Sequence, residues 1–363
     1  MKIFVVNPGS TSTKIALCED EKCLWADTQR YDAAVIERFG SVMEQEGFRF
    51  DAIMKALESK NVSPGDFAAV VGRGGLMKPA RGGTYIVNQL MLDDLRNGTH
   101  ASNLGAPLAV RFARAAGNIP AFIVDPVVVD ELADEARLSG LPEMPRVSIF
   151  HALNQKAVAR RAAAELKKPL TECGFVVAHM GGGVSVGAHE RGRVIDVNNA
   201  LDGDGPMSPE RSGSLPSGGL ISLCFSGRCT LEEVEKKING RGGLVAHLGT
   251  NDLREVEKRI EAGDSHAALV FEALCLQCAK EIGRCAAVLK GRVDAIVLTG
   301  GLAYSDRLCA FLTSRTEFIA PVLRYPGEDE MRALAEGALR VLRGEEPSLE
   351  YGAEGIRAGE KIK

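Results

Sequence analysis

"FVVNPGSTSTKIAL", residues 4–17, is the stretch on which the fold turns. It starts as an apolar strand, breaks at Asn7 into proline, glycine and small hydroxyl residues, and resumes as a strand at Lys14–Leu17. A hairpin between two core strands needs only two to five turn residues, and glycine with serine can serve that purpose alone. Here the turn carries donors as well: Ser10, Thr11, Ser12 and Thr13 bring hydroxyls, Gly9 permits close backbone approach, and Lys14 adds a charge. Donors with one cation are what a polyphosphate requires. The loop is not a P-loop, because "GSTSTK" lacks the second glycine and the helix that should follow.

A second stretch, "FVVAHMGGGVSVGA", residues 175–188, repeats the design about half a chain later. Its three glycines, Gly181, Gly182 and Gly183, expose amides that can cradle phosphate oxygens. A third junction, Gly300-Gly301, follows the strand "AIVLTGG" at the place where open α/β sheets take their ligands. Two loop-bearing hairpins half a chain apart suggest a duplicated architecture with a cleft between the halves, and the three glycine junctions together point to a nucleotide.

The bulk properties agree with a globular protein. At 363 residues the chain exceeds one ordinary core, so two domains are expected. Lys+Arg of 44 against Asp+Glu of 48 leaves no footprint for nucleic acid or a membrane surface. No apolar run approaches the ~18 residues of a membrane span, and the N-terminus is too short in apolar residues for a signal peptide. The nine cysteines are odd in number and scattered, which favours a reduced, cytoplasmic protein. Cys275/Cys278 has zinc-like spacing inside a helical pattern, but no second pair matches it.

Strand-like runs at Ile3–Val6, Ala68–Val71, Ala121–Val124, Gly174–Ala178, Val184–Ala188, Val194–Val197 and Asp294–Leu298 alternate with amphipathic stretches, the pattern of an α/β protein. Helices are expected over Pro107–Ala116, Asn154–Lys167, Ser265–Leu289 (capped by Ser265, stopped by Gly291) and Asp329–Leu342. The tail 345–363 has no periodicity and is left unassigned.

The segments "VVNPGSTSTKIAL", "FHALNQKAVA", "AHMGGGVSV", "RSGSLPSG" and "VLTGGLAYS" resemble the acetate/butyrate kinase family, from Lys2 to about Arg343. That family lies in the superfamily that joins sugar kinases, heat-shock chaperone ATPases and actin. "VGRGGLMKPARGG", standing where the acetate branch has "GHRVVHGG", places the resemblance nearer the butyrate branch. It implies a two-domain actin-like (ribonuclease-H-like) α/β fold with duplicated mixed sheets and an interdomain cleft. The domains would be residues 1–150, joined by a final helix at about 328–343, and residues 151–327. The implied reaction is carboxylate + ATP ⇌ acyl phosphate + ADP with magnesium. The acid would be butyrate or a similar short or branched one, and the enzyme a homodimer or higher homo-oligomer.

The resemblance also assigns residues. Arg73 would hold the substrate carboxylate, with Gly75, His100 and Phe150 on the acyl side. Gly75 stands where the acetate pattern has a valine, and would open that pocket to longer acids. Arg211 would bridge the migrating phosphoryl group and His151 would donate to its oxygens. Asp125 would be essential, as an orienting group and not a base, because an ionised carboxylate has no proton to lose. Asn7 and an acid among Glu328, Asp329 and Glu330, taken as Glu330, would face magnesium. The nucleotide would meet Asn7, Ser10, Ser12, Lys14, His179, Gly181, Gly182, Gly183, Asp252, Arg254, Gly300 and Gly301. His189, His247 and His266 have no role in this scheme.

Each assignment has a plainer reading: a surface arginine at Arg73, an Asp-Pro turn at Asp125, a buried histidine at His151, helix-start acids at 328–330. Three other functions compete. An acetate or propionate kinase would prefer a shorter acid. A sugar or hydroxy-acid kinase on the same fold would use Asp125 as a base. A non-catalytic ATP-binding module would need a large exposed apolar surface or an added domain.

Overall fold

The computed structural model describes residues 1–352. The chain forms two compact units, one of Met1–Asp130 with the chain from Asp329 on, the other Glu131–Glu328. The division falls at 130 and not at the expected 150. Residues 131–150 are bonded into the second unit: Glu131 pairs with Lys156 at 2.9 Å, Ala133 donates to the Ile195 carbonyl, and Arg146 pairs with Asp196 at 2.8 Å.

In the first unit, β1 (Lys2–Pro8), β2 (Ser12–Glu19) and β3 (Lys22–Arg30) form an antiparallel meander. β4 (Ala69–Arg73) lies parallel to β1 and β6 (Ala121–Val124) parallel to β4; β5 (Thr84–Ile86) is antiparallel to β6. In the second unit, β7 (Gly174–Met180), β8 (Val184–Glu190) and β9 (Arg193–Val197) repeat the meander. β10 (Ala295–Gly300) and β11 (Val322–Pro326) extend it in parallel. The orders β6-β4-β1-β2-β3 and β11-β10-β7-β8-β9 coincide, so the echo of residues 4–17 in 175–188 is a structural duplication.

Both sheets are covered on two faces, which explains strands that read as unbroken apolar runs. On the first sheet, Phe4 and Val6 pack with Leu108 and Phe112 of the helix Gly105–Ala115. The last helix, Glu330–Leu342, also packs against β1 and β4. On the second sheet, Val176 and Ala178 face Leu274 and Ile282 of the helix Ser265–Val288, while Phe175 and Val177 face Val158 and Ala162 of the helix Ala152–Glu165.

Four strands had no expectation attached. β3, β5 and β11 are short or half-exposed, and β12 (Leu349–Glu350) pairs with β5, placing part of the unassigned tail in the first sheet. Residues 353–363 of that tail lie outside the described residues. The long helix is capped by Asp264, whose side chain accepts from Ala267 N, and not by Ser265. Cys18 and Cys23, placed opposite each other by the β2–β3 register, are joined in a disulfide, so these two are not the free thiols expected. Cys275 and Cys278 are buried in the long helix, and burial pushes the Cys278 thiol up to about 12. No described helix is long and apolar enough to cross a membrane.

Candidate active site

Three parallel strands of the first unit end side by side, and their carboxyl ends carry Asn7, Arg73 and Asp125. Glu330, the first residue of the last helix, joins two of them: it accepts from Asn7 Nδ2 at 2.8 Å and forms an ion pair with Arg73. Of the three acids considered for a metal, Glu330 is the one bonded into this cluster. Glu328 belongs to the second unit, where its Oε1 lies 3.6 Å from His179 Nε2. Among the described residues no group of three acids, histidines or cysteines could by itself hold a metal. One carboxylate and one amide oxygen nevertheless suit a magnesium ion that takes its remaining ligands from phosphate and water.

Asp125 is 3% exposed with φ 39°, and its Oδ1 accepts from Gly83 N at 2.7 Å. It braces the turn before β5. His100 Nδ1 accepts from Ser102 N at 3.3 Å, and burial together with the Arg73 charge pulls its pKa below the usual histidine value. The ring therefore stands neutral beside Arg73, with its proton on Nε2.

Gly75 does not border open space. A Cβ there would lie 2.6 Å from Asn103 Cα, and Asn103 is fully buried, accepting from Leu76 N at 3.0 Å and donating to the Leu95 carbonyl at 3.1 Å. The glycine is required by the close approach of its loop to the short helical turn Ala101–Leu104, and the acyl-pocket assignment drawn from the valine comparison is withdrawn.

The opening hairpin holds a residue that the sequence reading missed. Arg49, fully buried, donates to the carbonyls of Gly9 (2.8 Å), Ser12 (2.9 Å) and Ser10 (2.8 Å). Tying the carbonyls down in this way fixes the turn; Ser10, Thr11 and Lys14 are exposed and Ser12 half-buried, whereas Thr13 is buried with its Oγ1 accepting from Arg49. Asn7 and Lys14 are cross-strand partners and so share a face. The signal in the sequence was a lone arginine in an otherwise ordinary helix, Gln45–Ser59, and nothing local marked it.

In the second unit a cavity of about 630 Å³ is lined by Gly181, Gly182, Asp252, Arg254, Gly301 and Tyr304, among others. This brings five of the expected nucleotide residues together. Asp252 also caps the helix Leu253–Glu261 and pairs with Arg254 at 2.7 Å, which holds its carboxyl down at about 2. Arg211 lies over the glycine turn, where a Cβ on Gly183 would meet its Nη1 at 1.8 Å. Its Nη1 donates to the Ala200 carbonyl at 2.6 Å and its Nε to Asn239 at 3.2 Å.

His151 and His179 stack at 3.8 Å between ring centroids. His179 Nδ1 bonds Asn154 at 2.8 Å, and its buried Nε2, which faces the Gly181 turn, has no hydrogen-bond partner among the described residues. Phe150 is buried in the same unit at 2% exposure and lines no open surface.

His189, given no role from sequence, is wholly buried and bonds Gln155 at 2.9 Å; burial first, then the Lys156 charge, pushes it down to about 3. Below about pH 6.5 the unfolded chain protonates this residue while the folded chain resists until about pH 3. The stability tied to it is complete above 6.5 and lost as pH falls. About 2 kcal/mol should go between pH 7 and 5. His189→Gln, which keeps a donor but cannot charge, should show a flatter decline in urea unfolding at the two pH values. Parallel declines would remove His189 as the cause.

A model of the acetokinase family matches residues 144–312. Butyrate kinase 1 and butyrate kinase 2 of Clostridium acetobutylicum are each 55% identical to the chain over 353 residues, covering 96% of it and 99% of each relative. Among solved structures, acetate kinase of Porphyromonas gingivalis superposes with a TM-score of 0.78 at 20% identity, over 94% of this chain and 99% of that one. At that identity the likeness concerns the fold, and the duplicated mixed sheets are the actin-like arrangement that the motifs implied.

Proposed function

From the premise that this chain belongs to the acetokinase family, in its butyrate kinase branch, we propose that it phosphorylates butyrate or a similar short or branched acid, with Arg73 and Arg211 carrying the chemistry. The chain is a carboxylate kinase, moving the terminal phosphoryl group of ATP onto a carboxylate to give an acyl phosphate and ADP, and back. The observation that supports the division of labour is the strand-end cluster of the first unit: an arginine, backed by Glu330 and Asn7, stands at the acceptor side. An ionised acid needs a cation to hold it and no base to deprotonate it.

In this reading Arg73 orients the carboxylate while its pair with Glu330 fixes the guanidinium. The glycine turn at 181–183 and the cavity beside Asp252 and Gly301 receive the nucleotide. Arg211, held over that turn by Ala200 and Asn239, meets charge as it spreads over the phosphoryl oxygens, and His151 donates to the same group. Magnesium, when bound through Glu330 and Asn7, would supply charge neutralisation on the phosphates. Asp125 holds the turn at Gly83 and accepts no substrate proton. Self-association into a homodimer or larger assembly is supported by the exposed apolar surface around the helix Ser217–Cys224, where Ile221 and Phe225 are 59% and 87% exposed.

The test is ADP formation from ATP with acetate, propionate, butyrate, isobutyrate and valerate. Two further buried methylenes at about 0.8 kcal/mol each predict roughly tenfold higher kcat/KM for butyrate or isobutyrate than for acetate. A maximum at acetate or propionate would move the enzyme to that branch, and turnover only with sugars or hydroxy acids would end the carboxylate reading.

A further inference from the structure

We propose that Gln155, acting through Ser185, sets the tautomer of His151 so that Nε2 carries the proton offered to the transferring phosphoryl group. This rests on the role given to His151 above. Gln155 is a positioning residue in the first turn of the helix Ala152–Glu165 and has no exposed surface.

The hydrogen bonds made by Gln155 and Ser185 fit one arrangement. Gln155 Nε2 lies 3.0 Å from the Ser185 backbone carbonyl, and a carbonyl only accepts, so the amide orientation is settled by the main chain. Its second hydrogen goes to Ser185 Oγ at 2.9 Å, and His151 N approaches the same oxygen at 3.5 Å. With Oγ accepting from both, the hydroxyl has its single proton to give, and His151 Nδ1 lies 2.9 Å away. Nδ1 is therefore the acceptor, and the proton of the neutral ring sits on Nε2.

The other end of the chain supports the same orientation. Gln155 Oε1 can only accept, and His189 Nε2 at 2.9 Å supplies the donor, leaving His189 Nδ1 buried with no hydrogen-bond partner among the described residues. Space is kept for this contact by Gly187, where a Cβ would stand 2.5 Å from Gln155 Oε1.

The neighbouring residue does the opposite to the neighbouring ring. Asn154 Nδ2 donates to the Glu328 carbonyl at 3.0 Å, so its Oδ1 faces His179 Nδ1 at 2.8 Å as an acceptor. His179 thus carries its proton on Nδ1 when neutral. Consecutive helix residues hold two stacked imidazoles in opposite tautomers, one presenting a donor at Nε2 and the other an acceptor.

The test begins with the full-length wild-type enzyme labelled with ¹⁵N-histidine, using long-range ¹H–¹⁵N correlation at pH 7.5, with rings assigned by His→Gln variants. His151 should show the Nε2–H pattern and His179 the Nδ1–H pattern. An Nδ1–H or charged His151 overturns the proposal whatever the activity. Gln155→Glu, whose carboxylate draws the Ser185 proton away, should convert His151 to Nδ1–H. It should also lower kcat roughly 10- to 100-fold, with KM for ATP and butyrate within about twofold. Ser185→Ala, which removes the donor, should give mixed tautomers and a similar fall in kcat. A fall in kcat with His151 still Nε2–H, or a changed tautomer with kcat unaltered, contradicts the proposal. If neither variant folds, the wild-type spectrum decides. Unchanged kcat in His151→Gln would instead remove the role assigned to His151 while leaving the tautomer result standing, so the two failures are distinguishable.

Discussion

Replacing Arg211 by alanine is expected to lower kcat by about a hundred- to a thousandfold while KM for butyrate and for ATP changes far less. The side chain is held by the Ala200 carbonyl and Asn239 in a partly buried position over Gly183. Burial pulls its pKa below the ordinary guanidinium value, yet a guanidinium stays charged at any working pH. A cation fixed beforehand in a partly desolvated place gains most where charge develops during transfer, and little in the ground state. Arg73→Ala should divide its effect differently, with more of the loss in KM for the acid. Comparable kcat/KM for wild type and both variants, in the coupled ADP assay, would remove the arginines from the mechanism.

Gly75→Val is expected to damage activity on acetate and butyrate alike and to lower stability by about 3 kcal/mol or more. The cause is the Cβ itself, 2.6 Å from the Cα of buried Asn103, whose side chain ties Leu76 and Leu95 together. Backbone cannot yield as the end of a flexible side chain can, so Gly75→Ala should reproduce most of the loss. Denaturant unfolding of both variants, with kcat/KM on both acids, checks this. A mild alanine variant with a valine variant impaired only on butyrate would restore the glycine to the acyl pocket.

These two residues show what kind of information a local pattern carries. Arg211 was singled out by its setting in a Gly-Pro-Ser segment with little core-forming character, and by a motif. Gly75 was read from a motif as missing bulk in a pocket, because nothing nearby in sequence announces a contact with Asn103 of the short helical turn Ala101–Leu104. Arg49 and Gln155 were missed for the same reason. A buried arginine binding three carbonyls about 40 residues away, or an amide joining two strand residues, has no local signature.

By itself the sequence determined the duplicated hairpins, the buried strands and the glycine junctions. Each depends on residues adjacent along the chain: unbroken apolar runs for strands covered on both faces, and small donors where a strand stops. It also placed Asn7, Arg73 and Asp125 at strand ends. Tertiary structure alone decided that these ends are neighbours, because parallel pairing joins residues 3–6 to 69–72 and 70–73 to 121–124. It decided that residues 131–150 belong to the second unit, through ion pairs and main-chain bonds made to β9 and the helix Ala152–Glu165. It alone brought His189 into the histidine network and closed the space beside Gly75. The physical reason is the same in each case: close packing and hydrogen-bond satisfaction act between groups distant in sequence, whereas periodicity and turn chemistry act between neighbours.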